Sequence, residues 1–477
     1  MASTTPSSRP GSGPGGAPGA ALVRTGQLLQ ASLAHRTARQ YDTAAACLEA
    51  ATQAAQVDAN ACALLGDFCS QLEMYAQAHA AYSRAIDLRP RHANYWFNRA
   101  AVARFLGQLA EAESDFDQCL SLDPTDTQAC LNRSDLRTQT AERNHLEELE
   151  ALLARGGWTW EREVPLRFAL AKEYEDLGRF DTAWRQLAAG AALRRRHLQY
   201  DPRTDLQTVD WLRAAFPGGN ARAAGHPSAE PIFIVSMPRT GSTLVDRMIS
   251  SHTQVTSAGE LIHLGNAVVD AARRRLGRAG SRQELVAASA SVDFAALGAD
   301  YLARTRPVTG STPHFTDKLP LNYLYCGLID AALPAARIVH VTRHPMATCF
   351  GIYKVLFNQG YPFSYDLSEI ADYYIAYRRL IAHWQSTLPG KIIEIRYEAL
   401  VADPEAQCRA LIAALGLPWE AACLEFHRNP APANTASATQ VRRPIYSSAV
   451  TLWRNYAAQL SPLRARLEAA GIDCGAN

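Results

Sequence analysis

An arginine, a glycine and several hydroxyl side chains lie next to one another in the segment Ser236–Leu244, which reads SMPRTGSTL. Gly241 permits a backbone conformation that other residues avoid, so the N–H groups after it can point outward from the start of a helix. Ser242 and Thr243 add hydroxyl donors, and Arg239 adds a planar fork of donors for an oxyanion. The segment predicts a phosphate-binding loop; the alternative is an ordinary Ser/Thr cap of a helix.

This loop differs from the common nucleotide-binding loop of kinases. The pattern GxxxxGK[ST] is absent, and so is the lysine that would lie across a terminal phosphate. A nucleotide kinase is therefore disfavoured.

Short apolar runs that alternate with helical segments must position this loop. The runs are 231–235, directly before the loop, and 337–341 and 391–395 further along. This alternation predicts an α/β domain with a parallel sheet and helices on both faces. Because ligands of such sheets bind at the carboxyl ends of the strands, we expect the turns after the strands to carry the chemistry.

The first half of the chain contains an internal repeat instead. Asp87–Pro90 (DLRP) and Ser121–Pro124 (SLDP) lie one 34-residue period apart, which is the tetratricopeptide spacing. Small residues allow two antiparallel helices to approach, and aromatic side chains fill the space between them. The pattern predicts an all-α tetratricopeptide array over residues 25–200; the alternative is an Ala-rich helical bundle without repeats.

Composition limits the remaining possibilities. The chain has 477 residues, 48% of them hydrophobic, and a formal net charge of +2. This length predicts two or three folded units, and the charge gives no global signature of nucleic-acid binding. No apolar run approaches the length of a membrane span, and the ten cysteines include no CxxC pair, which predicts reduced thiols in a cytoplasmic protein.

These observations predict four segments along the chain. Residues 1–24 are expected to form a flexible tail, 25–200 the repeat domain, 201–229 a Gly- and Pro-containing linker, and 230–477 the α/β domain.

Several motifs in the second half resemble those of sulfotransferases that use 3′-phosphoadenosine-5′-phosphosulfate (PAPS). The loop Pro238–Leu244 resembles their P-loop-like 5′-phosphosulfate loop, Thr316–Pro320 their Asp-Lys-x-Pro segment, and Val341–Pro345 their 3′-phosphate motif. The matches occur in the expected order over about 231–457. Repeats followed by this domain resemble bacterial tetratricopeptide-repeat sulfotransferases, and the catalytic part is similar to tyrosylprotein sulfotransferases.

The resemblance implies roles for individual residues. Arg239 and the loop N–H groups would bind the sulfonate and 5′-phosphate, and Lys318 would reach the bridging oxygen of the departing phosphate. Glu260 is the candidate general base, with His263 as its rival. No metal is expected. The residues expected to bind the nucleotide are Arg239, Thr240, Gly241, Ser242, Thr243, Arg343, Gly351, Tyr397, Ser437 and Arg442.

Two positions depart from the family pattern around the 3′-phosphate. Gly351 stands where the family often has serine, and Leu452 where it often has a basic residue. Arg442-Arg443 and Lys354 are candidate replacements for the missing contacts.

The sequence therefore predicts a PAPS-dependent sulfotransferase that transfers a sulfonate to an acceptor hydroxyl, with protein tyrosine as one candidate acceptor. The repeat array is expected to recruit a protein or peptide partner. The alternative is a tetratricopeptide-repeat interaction scaffold whose sulfotransferase-like domain is inactive.

Overall fold

A computed structural model describes residues 19–38, 40–218, 225–357, 360–429, 431–432, 435, 439–442, 445 and 448–475. The described residues form two compact units that divide between Gly190 and Ala191. We call them the helical unit, which precedes this division, and the sheet unit, which comprises Ala191–Asn429 and the chain from Gln440 onward.

The helical unit consists of consecutive α-helices, most of them joined by short turns. Aspartate caps begin two of them, because Asp58 accepts a hydrogen bond from the Ala61 N–H and Asp126 from the Ala129 N–H. The helices are α1 (Ala20–Thr37), α2 (Tyr41–Ala55), α3 (Ala59–Gln71), α4 (Tyr75–Leu88), α5 (Ala93–Leu106), α6 (Leu109–Leu122), α7 (Thr127–Ser134), α8 (Leu146–Ala154), α9 (Trp160–Asp176) and α10 (Phe180–Arg196), the last of which continues past the division.

Close helix packing in this unit depends on small residues opposite aromatic ones. A Cβ atom added to Gly66 of α3 would lie 2.6 Å from the ring of Tyr82 on α4. Ala100 of α5 and Phe116 of α6, one repeat further on, are both fully buried. The sequence pattern predicted this packing of small against aromatic residues.

The sheet unit alternates strands and helices. Its elements are α11 (Pro202–Ala215), β1 (Pro231–Ser236), α12 (Ser242–Ser250), β2 (Val255–Ser257), α13 (His263–Leu276), α14 (Arg282–Ser289), α15 (Phe294–Thr305), β3 (His314–Asp317), α16 (Cys326–Ala332), β4 (Arg337–Thr342), α17 (Pro345–Tyr353), α18 (Leu367–Thr387), β5 (Ile392–Arg396), α19 (Tyr397–Ala402), α20 (Pro404–Ala414), α21 (Ser448–Thr451) and α22 (Ser461–Ala469).

All five strands are parallel, in the order β2-β3-β1-β4-β5. β1 is buried along its whole length, with Phe233 paired to Asp317 of β3 on one side and Ile338 of β4 on the other. The chain moves from β1 to one side of the sheet and then to the other, so β1 lies at a switch point where ligands of such sheets bind. This parallel sheet and the helical unit confirm the predicted fold class.

The predicted linker at 201–229 differs from the structure. Pro202–Ala215 form α11, which begins at an Asp201 cap that accepts from the Arg203 N–H. Closer to β1, the His226 N–H donates to the carbonyl of Ala332 at 2.8 Å. The described parts of this segment are therefore integral to the sheet unit, because they form regular hydrogen bonds and pack inside it.

Among the residues that the structure describes, no single helix has both the length and the apolar character to cross a membrane. One bent pair, Arg282–Ser289 with Phe294–Val308, meets those criteria by length and composition alone.

Candidate active site

The turn after β1 combines two residues with left-handed backbone conformations. Arg239 has a φ of 67° and Gly241 a φ of 97°. A side chain at Gly241 is also excluded sterically, since its Cβ would lie 2.4 Å from the ring of Tyr397. The Thr240 hydroxyl donates to the carbonyl of Met237 at 3.0 Å and closes the turn. This geometry accounts for the glycine that the sequence motif contains.

Helix α12 begins directly after this turn, with Gly241 as its N-cap. The N–H groups of Leu244 and Val245 donate to the Gly241 carbonyl at 3.0 and 3.2 Å, so the helical hydrogen bonds start there. Ser242 and Thr243 precede them and are buried in the first turn of the helix. This first turn therefore lies at the positive end of the helix dipole.

The turn after β4 contacts the turn after β1. Arg343 donates from Nη1 to the Arg239 carbonyl at 2.9 Å and from Nη2 to the Ala449 carbonyl. Its guanidinium also lies 4.8 Å from the centre of the Tyr397 ring, within range of a cation–π interaction. Two predicted cation positions, Arg239 and Arg343, therefore lie side by side.

Gly351 belongs to the same group of residues. A Cβ atom at this position would lie 3.3 Å from the Cβ of Arg239, which is tighter than an ordinary contact. The absence of a side chain at Gly351 therefore leaves room for the Arg239 turn.

Two further arginines meet at Asn429. Arg442 donates to its backbone carbonyl at 3.0 Å, and Arg247 of α12 donates to its side-chain oxygen at 3.2 Å. Burial lowers the pKa of both guanidinium groups, although both remain cations at neutral pH. Arg442 was a predicted binding residue; Arg247 was not, although an Asp-Arg pair within the apolar segment of α12 is a sequence signal for a buried charge.

The other residues singled out around the nucleotide are Lys354, Leu452, Ser437 and Arg443. Lys354 ends α17, with its ammonium 5.4 Å from the centre of the Phe350 ring. Leu452 is half-buried in a short 3-10 turn. Ser437 and Arg443 lie outside the described residues.

Glu260 and Lys318 form a buried ion pair at the ends of adjacent strands. The Lys318 ammonium donates to Oε1 of Glu260, and the two side chains are only 2% and 13% exposed. The backbone holds the two turns together as well, because the Lys318 N–H donates to the Gly259 carbonyl at 2.9 Å. Glu260 and Lys318 are 58 residues apart in the sequence, and the parallel pairing of β2 and β3 brings them into direct contact.

Burial raises the pKa of the Glu260 carboxyl, and the Lys318 ammonium opposes that shift. A raised pKa makes the ionised carboxylate a stronger proton acceptor than an exposed one. His263 begins α13, and burial lowers the pKa of its imidazole. Of the two candidate bases, Glu260 is the one in contact with Lys318.

Asp317 holds together the two turns that carry this ion pair. The sequence analysis did not assign it a role. Its buried carboxylate accepts hydrogen bonds from the Tyr301 hydroxyl at 2.9 Å, from the Asn322 amide at 3.1 Å and from the Leu261 backbone N–H. Burial raises the pKa of Asp317 to about 7. Because Leu261 follows Glu260 and Asp317 precedes Lys318, this carboxylate joins the two turns that carry the ion pair.

Asp246 of α12 has a similar supporting role and was also missed. It accepts from the Ser257 hydroxyl of β2 at 2.9 Å and from the Thr316 hydroxyl of β3 at 2.5 Å. These bonds fix α12, which begins at the Arg239 turn, against the two strands that precede Glu260 and Lys318.

The site residues therefore all lie at the carboxyl ends of the parallel strands. The turns that follow the strands, taken across the sheet, carry Glu260 after β2, Lys318 after β3, Arg239 after β1, Arg343 after β4 and Tyr397 after β5. Within the described part of the chain, no group of three or more His, Cys, Asp or Glu side chains is arranged to hold a metal ion.

Comparisons with known proteins agree with this architecture. Residues 231–421 match the sulfotransferase family, and residues 59–92 and 93–126 each match the tetratricopeptide repeat. These matches confirm the predicted combination: the chain joins tetratricopeptide repeats to a sulfotransferase-family domain.

Two curated relatives are similar to the chain. An uncharacterized protein of Aquifex aeolicus is 29% identical over 78% of this chain and 50% of its own length. A Caenorhabditis briggsae protein named "Putative protein-tyrosine sulfotransferase" is 23% identical over 46% of this chain and 80% of its own length. The chain thus spans half of the first relative.

A solved sulfotransferase domain of the Synechococcus PCC 7002 olefin synthase is 20% identical over 54% of this chain and 99% of that chain. Its TM-score is 0.36.

Proposed function

We propose that the sheet unit transfers a sulfonate from PAPS to an acceptor hydroxyl. The observation that carries the proposal is the buried Lys318–Glu260 pair, which follows strands β3 and β2 at the edge where β1 ends in the Arg239 turn. The match of residues 231–421 to the sulfotransferase family supports a sulfonate as the transferred group.

The turn after β1 fits the 5′-phosphosulfate end of PAPS. The left-handed backbone at Arg239 and Gly241 leads directly into α12, and N–H groups at the start of this helix would donate to phosphate and sulfonate oxygens. The Ser236 hydroxyl, at the start of this turn, is buried and has no hydrogen-bond partner among the described residues. A polar ligand atom near it would satisfy that hydroxyl.

The 3′-phosphate would meet the second cation of the site. Arg343 is fixed by two backbone carbonyls and by the Tyr397 ring, so its position is set before the nucleotide binds. Tyr397 would in turn offer its ring to the nucleotide. Arg442 and Arg247 would add positive charge beside α12.

Transfer requires a base for the acceptor and a cation for the leaving group. In our proposal the acceptor O–H gives its proton to Glu260 while its oxygen forms the new bond to sulfur. The bond from sulfur to the phosphate oxygen breaks, and 3′-phosphoadenosine-5′-phosphate leaves. Lys318, an ammonium with three donors, would hold Glu260 with one and the departing oxygen with another.

The repeats of the helical unit would recruit a protein or peptide. A peptide acceptor, and a tyrosine hydroxyl in particular, is compatible with that arrangement, and the cytoplasm is our proposed location.

Transfer of sulfur label from PAPS tests the function. The intact chain would be incubated with labelled PAPS and with either a cell lysate or p-cresol, a simple phenol. We expect label in the acceptor and none when Lys318→Met is combined with Glu260→Gln, a pair of changes that removes both charges together. Nucleotide binding without transfer to any lysate component would instead favour the inactive scaffold.

A further inference from the structure

A tyrosine near the Glu260–Lys318 pair has features that packing alone does not explain. Tyr361 is 97% buried, since its relative exposure is 3%, yet its hydroxyl has no hydrogen-bond partner among the described residues. Neighbouring buried tyrosines are satisfied: the Tyr365 hydroxyl donates to the Phe357 carbonyl at 2.8 Å, and Tyr323 donates to Tyr373 at 2.8 Å. A buried hydroxyl without a partner costs stability, so its retention calls for a reason.

The backbone at Tyr361 is strained as well. Its φ is 45°, between Gly360 with a φ of 78° and a proline at position 362. A bulky residue in the left-handed region is rare, and such strain persists mainly at functional sites. In the described part of the sheet unit, the other non-glycine residue with this conformation is Arg239, in the turn that we assign to PAPS.

Packing links Tyr361 to the turn after Lys318, because Phe363, which contacts its ring, stacks on Tyr373 at 3.7 Å, and the Tyr373 hydroxyl accepts from Tyr323 in the 3-10 turn Pro320–Tyr325. Burial raises the pKa of Tyr361 well above its usual range, and the negative charge of Glu260 raises it further. The hydroxyl therefore stays protonated and is available as a hydrogen-bond donor. Its own ring packs between Phe357, with ring centres 4.8 Å apart, and Phe363, at 6.0 Å.

We propose that Tyr361 binds the acceptor, with its hydroxyl donating to the acceptor oxygen beside Glu260 and its aromatic neighbours favouring an acceptor whose hydroxyl is carried on a flat apolar ring. This inference rests on the proposed sulfotransferase function. As the acceptor proton moves to Glu260, the Tyr361 hydroxyl keeps the acceptor oxygen in line with the sulfur and stabilises the charge that develops on it. The unpartnered hydroxyl of the free protein is thus the group that the acceptor satisfies.

Tyr361→Phe removes this hydroxyl and nothing else. We expect the KM for p-cresol to rise about threefold to tenfold, which is the effect of one neutral hydrogen bond, while the KM for PAPS stays the same. Thermal stability should be unchanged or higher, because the hydroxyl lost was unsatisfied. Tyr365→Phe is the matched control: it removes a satisfied hydroxyl from the same segment, so it should lower stability and leave the KM for p-cresol within about twofold.

Cyclohexanol, an aliphatic ring alcohol of similar size, tests the acceptor class, and calorimetry with 3′-phosphoadenosine-5′-phosphate tests the underlying function. An unchanged KM for p-cresol in Tyr361→Phe overturns the role of this residue. Equal transfer to both alcohols, or to neither by a protein that binds the nucleotide, overturns the aromatic acceptor. A wild-type protein that binds no nucleotide overturns the proposed function itself, and this inference with it.

Discussion

Buried charges are arranged differently in the two units of this protein. In the helical unit, two buried networks are closed by partners on neighbouring helices. Arg99 binds both carboxylate oxygens of Asp115, at 2.8 and 2.7 Å. Glu173 likewise accepts from the Ser134 hydroxyl and from the backbone N–H of His145, each at 2.6 Å. These groups join α5 to α6 and α9 to the chain around α7 and α8, and they need no ligand.

In the sheet unit, the buried ion pair lies at the carboxyl ends of the strands. Lys318 and Glu260 bind each other, but unsatisfied hydroxyls at Ser236 and Tyr361 and left-handed backbone at Arg239 accompany them. The difference teaches that burial and ion pairing alone do not identify a site. Unmet hydrogen-bonding capacity and backbone strain beside the pair distinguish it from the Arg99–Asp115 and Glu173 networks.

The largest expected effect is on catalysis. Lys318→Met together with Glu260→Gln should lower turnover by about 10²–10³-fold or more, the scale of removing one transition-state donor, with little change in nucleotide affinity. The double variant is preferred because either single change leaves a buried charge unpaired and can unfold the protein. Single-turnover transfer and calorimetry measure the two quantities; equal losses in both would assign the pair to nucleotide binding.

The matching change in the helical unit should affect stability alone. Asp115→Ala removes the partner of Arg99 and should lower the free energy of unfolding of that unit by about 1.5–3 kcal/mol, as for a hydrogen bond to a charged group. Denaturant unfolding measures this loss. Affinity for 3′-phosphoadenosine-5′-phosphate should stay the same, and a parallel loss of affinity would show that the two networks are coupled.

Asp317 should make the stability of the sheet unit depend on pH. Its pKa is about 7 in the folded protein and near 4 when unfolded, so its contribution is complete below about pH 4 and is lost as the pH rises to about 7. In Asp317→Asn this fall between pH 4 and 7 should be absent. Melting temperatures of both proteins across that range measure it, and identical pH profiles would contradict the shifted pKa.

The smallest expected effect concerns Gly351. Gly351→Ser should change PAPS affinity by less than about threefold, because charge-assisted contacts from Arg343 exceed a neutral hydroxyl in strength. Any change should be a loss, since the new Cβ would press on Arg239, at 3.3 Å. A tenfold gain in affinity on calorimetric titration would show that the missing serine limits binding.

The repeat packing and the loop after β1 could be predicted because their signals are local. Gly66 and Gly241 both lie in short motifs whose spacing fixes the backbone. The helix α11 was missed in favour of a linker, although Asp201-Pro202 is a typical helix start. The Gly- and Pro-containing segment after α11 suggested a linker, and the predicted range 201–229 wrongly included the residues of this helix.

The supporting contacts could not be predicted, because they join residues that are far apart in the chain. Asp246 meets Thr316, and Asp317 meets the Leu261 N–H, only because the strand order is β2-β3-β1. No local pattern specifies that order. The unsatisfied hydroxyl of Tyr361 likewise depends on what surrounds it in the fold.

The most direct test of the central claim is calorimetric titration of the intact chain with 3′-phosphoadenosine-5′-phosphate. We expect the wild type to bind, and Arg239→Ala to weaken binding by about 1.5–3 kcal/mol, the contribution of a charge-assisted hydrogen bond. Arg409→Ala is the matched control, because Arg409 is an exposed arginine of α20 that pairs with Glu405 within its own helix; it should bind like the wild type. A wild-type protein that binds neither this nucleotide nor PAPS would contradict the assignment of the Arg239 turn and, with it, the proposed sulfotransferase function.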